Sequence, residues 1–86
     1  MKQQLKEEGF DKIYLWEDKP NKTYKKHFHR SDTKIIITSG NMNITIANKS
    51  SNLKHEDKIL IKANEKHEAI IGANGCSYIV AEREIK

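Results

Sequence analysis

The residues with the most chemistry to offer are histidines. His27 and His29 sit one residue apart in "KKHFHRSDTK", Lys25 to Lys34. Side chains on a β-strand alternate between faces, so this spacing sets both imidazoles on one side. Imidazole pairs suit zinc, iron, nickel or copper. In so lysine-rich a segment they can equally be two polar residues on a wet sheet face. His67 shares strand parity with Ala69 and Ile71, which turns it toward the apolar side of "HEAII". His55 stands in a polar loop with no partner at ligand spacing and reads as a surface residue. Cys76 is the single cysteine, so no intramolecular disulfide can form. That favours a reducing compartment, and a buried structural thiol is the commoner role.

These histidines need strands to position them, and the sequence reads as strands almost throughout. Residues 2–8, "KQQLKEE", favour a short helix that Gly9 stops, with Leu5 as its one apolar anchor. Strand patterns follow at 12–18, 23–30, 33–39, 42–48, 58–62, 67–71 and 76–83. Gly40-Asn41 reads as a turn, "NKSSN" at 48–52 as a loop, and "GANG" at 72–75 as a tight hairpin turn. Short strands with turn signals at this spacing predict an all-β chain, a small antiparallel barrel or sandwich. In the second strand, Tyr24, Lys26 and Phe28 oppose Thr23, Lys25, His27 and His29. Periodicity alone leaves open which face is inside. Tyr14 and Trp16 share a face of the first strand, where they can stack a ligand or pack in a core or interface.

The chain has 86 residues, room for one domain, 1–86, with 1–9 as a helical or frayed extension. Isoleucine, at 12 residues, dominates the apolar set and suits a pleated sheet. No apolar run is long enough to span a membrane, and "MKQQLKEEGF" has no signal-peptide core, so a cytoplasmic location is expected. The net charge is +4, with 16 Lys+Arg against 12 Asp+Glu. Only two of the 16 are arginine, Arg30 and Arg83, whereas phosphate and base readout leans on arginine. A basic barrel stacking single-stranded nucleic acid on Tyr14, Trp16, Tyr24 and Phe28 therefore ranks last among the functional readings.

Two segments resemble the motifs of the cupin superfamily. "HFHRSDTKIIITSG" is similar to the first, H-x-H followed by a glutamate and then a glycine; His27, His29, Thr33 and Gly40 take those places. "EDKILIKANEKHEAI" is similar to the second, with Glu56, Lys62, Asn64 and His67 where cupins carry glycine, proline, glycine and histidine. The resemblance covers roughly residues 12–83. It implies a double-stranded β-helix, a cupin-like jelly roll, with His27, His29 and His67 converging as ligands of a divalent transition metal (Zn, Fe, Ni or Cu). It also implies that His27 and His29 face inward while Tyr24 and Phe28 face outward.

Thr33 replaces the carboxylate ligand, which weakens preference for manganese. Lys25, on the histidine face, is a candidate for binding an anionic substrate at the mouth. Asp32 is a candidate for supporting the ligands from behind, with a surface position as the alternative. By resemblance the chain is a metal-dependent dioxygenase, isomerase or lyase acting on a small polar molecule, or else a non-catalytic module that holds a metal or small ligand. A homodimer is expected, because an 86-residue barrel has a marginal core.

Overall fold

A computed structural model describes residues 2–84. One helix, α1 (Lys2–Glu7), precedes six strands: β1 (Lys12–Asp18), β2 (Thr23–His27), β3 (Ser31–Ile46), β4 (Lys49–Lys54), β5 (Lys58–Ile61) and β6 (His67–Glu84). All pairings are antiparallel. The sandwich or barrel expected from the strand spacing is what forms.

The sandwich is built on β3 and β6, which pair along nearly their whole lengths and bend together. The first part of β3 and the last part of β6 lie between β5 and β1. The last part of β3 and the first part of β6 lie between β4 and β2. The two leaves face one another, and Ile35, Ile37, Ile44, Ile71 and Val80 meet between them as the main core.

The bend explains two departures from the sequence expectation. Gly40-Asn41 is no chain reversal, and "GANG" is no hairpin; both are crossing points inside continuous strands. Gly40 pairs Cys76, whereas Met42 pairs Ile71, so one residue of β3 faces the extra residues 72–75 of β6. The Asn-Gly signal supplied one left-handed residue, Gly75 at φ +78°, used for a bulge. Gly40 is required for its size as well as its φ of +74°: a Cβ there would lie 2.1 Å from the Gly75 carbonyl oxygen.

The tight hairpin forms elsewhere. Ala47 and Asn48, both at positive φ, join Ile46 to Lys49, and the expected loop at 48–52 is mostly strand β4. No Gly marks that turn, which is why the pattern hid it.

The helix is better anchored than a single leucine suggests. Leu5 and Phe10 are both buried and pack on Ile36 and Ala81, closing a second apolar cluster on the outer face of one leaf. Arg83 Nη1 donates to the Glu8 carbonyl and its guanidinium lies 4.8 Å from the Phe10 ring centroid.

Candidate metal centre

Three strand ends bring the histidines together. His27 closes β2 and pairs directly with His67, which opens β6. His29 lies two residues beyond β2, in the link to β3. Its carbonyl accepts a 2.6 Å hydrogen bond from the Asn64 N–H, which ties that link to the β5–β6 turn. One ring nitrogen of each histidine lies within 4.8 Å of the others. Ring centroids are 4.3 Å apart for His27 and His67, and 5.0 and 5.2 Å from those two to His29.

The donor set fits a transition metal. Nδ1 of His27 bonds the Lys25 carbonyl, and Nδ1 of His67 lies 3.1 Å from the Glu65 carbonyl. A carbonyl only accepts, so each Nδ1 is the donor, and in the neutral ring that arrangement leaves the lone pair on Nε2. Burial lowers the pKa of His67, the Glu65 carbonyl partly opposing it, and burial followed by the nearby His27 lowers that of His29. Neutral imidazole, the ligating form, is thereby favoured.

The cluster opens onto a cavity of about 220 Å3. Its floor is apolar, with Ile35, Met42, Ile44, Ile61, Ala69 and Val80. Thr33, the residue at the position of the missing carboxylate, is buried and also lines it, but its hydroxyl faces the Ser31 carbonyl at 3.4 Å. Tyr14 and Trp16 line the mouth from β1 and remain 43% and 47% exposed. Their rings meet edge to face at 6.4 Å.

Two expectations for β2 need correction. Phe28 faces solvent as expected, but Tyr24 does not: it is half-buried and lines the cavity. The cause is a bulge. Tyr24 pairs Ala69 and His27 pairs His67, so Lys25 and Lys26 together face the single residue Glu68. The extra residue reverses parity, and Tyr24 and His27 both point inward although three apart. For the same reason Lys25 is exposed and lies outside the cavity lining, meeting the site only through its carbonyl. Asp32 likewise stands outside the lining. It accepts from Arg83 Nη2 at 2.8 Å and from the Ala63 N–H at 3.0 Å, and these bonds, the Arg83 one foremost, hold its carboxyl below the usual range.

Two acidic residues near the cavity escaped the sequence reading. Glu82 lines it, level with Thr33 on the neighbouring strand, and its Oε1 accepts from Tyr14 OH at 3.0 Å. Burial, then this bond, raises the Tyr14 phenol to about 12. Asp18 lies outside the lining, bonded to three residues that belong to it. Tyr78 OH donates to it at 2.6 Å, Trp16 Nε1 at 3.0 Å, and Tyr24 OH lies 2.7 and 2.8 Å from its two oxygens. Parity could have indicated Glu82, because it shares the inward face of Tyr78 and Val80. Cys76 is buried beside Asp18, and burial raises its thiol to about 11, which leaves it unreactive at neutral pH. His55 is exposed and outside the cluster.

No protein-family model and no curated protein matches the sequence; the likeness is one of structure. A conserved protein of unknown function from Streptococcus pyogenes superposes with a TM-score of 0.77 at 18% identity, over 86% of this chain and 64% of that one. A cupin superfamily protein from Desulfitobacterium hafniense gives 0.77 at 19%, over 85% and 66%. An uncharacterized conserved protein with a double-stranded β-helix domain from Klebsiella pneumoniae gives 0.72 at 18%, over 83% and 64%. The chain thus spans about two thirds of the length of these proteins. No described helix is long and apolar enough to cross a membrane. With paired leaves crossing at a shared kink and a cavity between them, the chain has the fold of a small cupin domain.

Proposed function

We propose that this protein holds one divalent transition metal ion (Zn, Fe, Ni or Cu) on His27, His29 and His67 and uses it on a small molecule in the adjoining cavity. The observation that carries the proposal is the convergence of three ring nitrogens within 4.8 Å of one another. Three imidazoles leave open coordination positions. The ion, when bound, supplies a Lewis acid and lowers the pKa of coordinated water. The chain does the rest: the Lys25 and Glu65 carbonyls orient two of the rings, and the isoleucine-rich floor keeps water from the inner side. The reading is a metal-dependent enzyme of dioxygenase, isomerase or lyase type.

A non-catalytic module holding a metal or small ligand is the second reading. What favours it is Thr33, which puts no ionisable group where the resemblance expects a carboxylate. Single-stranded nucleic acid on Tyr14, Trp16, Tyr24 and Phe28 ranks last of the readings: the first three line the cavity, and Phe28 alone stands outside it. A homodimer belongs to the same reading, with exposed Leu15 and Phe28 among its candidate contacts, and a monomeric mass by light scattering would contradict it.

Cobalt(II) added to chelator-stripped, tag-free protein is expected to give a d–d absorption band that saturates at one equivalent and is absent in His67→Ala. A featureless titration of the wild type would overturn the metal site. Turnover by the loaded protein and not by the stripped protein separates the enzyme from the storage module.

A further inference from the structure

The chain carries 16 lysines and arginines, yet among the described residues not one lines the cavity beside the histidines. What lines it instead is aromatic and acidic. Tyr14, Trp16, Tyr24 and Tyr78 supply rings, and Glu82 supplies a carboxylate. The rings are fixed from behind by carboxylates: Tyr14 donates to Glu82, while Trp16, Tyr24 and Tyr78 donate to Asp18. A phenol or indole that donates to a carboxylate becomes more electron-rich, which deepens the negative face of its ring. Asp18 itself, outside the lining, adds negative potential without offering a free oxygen to a ligand.

We infer that the cavity selects a small organic ammonium ion, its cationic head set against Tyr14, Trp16 and Glu82 and its apolar body on the isoleucine floor. Aromatic faces joined to a carboxylate attract such a head, and primary and quaternary ammonium groups are both served by this chemistry. In the metal-free pocket a negatively charged ligand would meet Glu82 with no lysine or arginine among the described lining residues to receive it, whereas a bound divalent ion would add positive charge at the histidine end. The ring faces already draw cations within the chain: Lys22 Nζ stands 5.5 Å from the Tyr24 centroid. Among the described residues no such cation covers Tyr14 or Trp16, which are the rings at the mouth. A cavity of about 220 Å3 suits a small ligand.

The inference concerns the pocket of the metal reading but does not need the ion, so it is tested on chelator-stripped protein and the two can fail separately. Trp16 is the only tryptophan, and its fluorescence reports on the mouth directly. The probes are choline, its neutral carbon isostere neohexyl alcohol, and the tert-butylacetic acid anion. Choline is expected to bind about tenfold more tightly than the alcohol, with the anion weakest. Glu82→Gln is expected to lower choline affinity about tenfold and to leave the alcohol unchanged. Trp16→Leu, followed by calorimetry and checked for fold by circular dichroism, should weaken choline more than the alcohol. Equal binding of choline and alcohol, tighter binding of the anion, or no binding of choline would each overturn the inference.

Discussion

The two ends of the cavity are built from opposite materials. At the end near the kink, Asp18 is surrounded by donors from Trp16, Tyr24 and Tyr78, and Gly40 packs against Gly75 with no room for a methyl group. At the other end, Glu82 has one described donor, Tyr14, and three imidazoles expose ring nitrogens to one another. A carboxylate whose lone pairs are filled fixes neighbouring side chains. A carboxylate with spare lone pairs, beside histidines with spare nitrogens, is free to meet something that is not part of the chain. One carboxylate serves the fold and the other is open to a ligand, with Trp16 reaching from the first to the ring of Tyr14 beside the second.

The largest effect should come from the closed end. Gly40→Ala forces a Cβ into the Gly75 carbonyl and a left-handed φ on a side chain. A loss of about 3 kcal/mol or more is expected in urea unfolding, with failure to accumulate as folded protein the extreme case. A melt within a degree of wild type would show that the kink is not the rigid end.

Next comes the contrast between the two carboxylates. Tyr78→Phe removes a buried donor to Asp18 and should cost about 2 kcal/mol, whereas Tyr14→Phe removes a half-exposed donor to Glu82 and should cost under about 1 kcal/mol. Equal losses would erase the distinction.

The open end should respond to acid. Burial holds His67 below the ordinary imidazole value of 6.5, and partial desolvation with the neighbouring His27 does the same for the more exposed His29. The unfolded chain therefore takes up protons first as pH falls, so metal-free stability is full above that value and declines as pH drops through it. The melting temperature of stripped protein is expected to fall by several degrees between pH 8 and pH 5, and less in His67→Ala. An identical decline in that variant would place the sensitivity elsewhere.

The smallest effect lies outside both ends and has the opposite sign. Glu56 and Asn64 occupy places where the cupin motif has glycine, and both are left-handed, at φ 74° and 65°. Asn tolerates that conformation; Glu does not. Glu56→Gly should stabilise the chain by about 1 kcal/mol in thermal unfolding. Destabilisation would mean that its side chain makes a compensating contact.

Those left-handed residues also show what the sequence made legible. The backbone still follows the motif where the glycines are gone, so register and hydrophobic pattern carried more than residue identity did. Strand β1 was readable to the residue, and so was the inward turn of His67, because both rest on simple alternation. The bulge at Lys25 and Lys26 was not readable, since parity fails wherever one strand carries an extra residue. Tyr24 was therefore placed on the wrong face. Gly-rich kinks and Gly-rich turns look alike in sequence, which hid the continuity of β3 and β6. Glu82 and Asp18 were missed because their partners, Tyr14 and Tyr78, lie 68 and 60 residues away in the chain.

The most direct test is the metal content of tag-free protein, measured by plasma mass spectrometry after growth with zinc, iron, nickel and copper. About one transition-metal ion per chain is predicted for the wild type, falling below about a tenth of that in His27→Ala and in His67→Ala. Wild-type protein that is metal-free and stays so after loading with each ion would contradict the account.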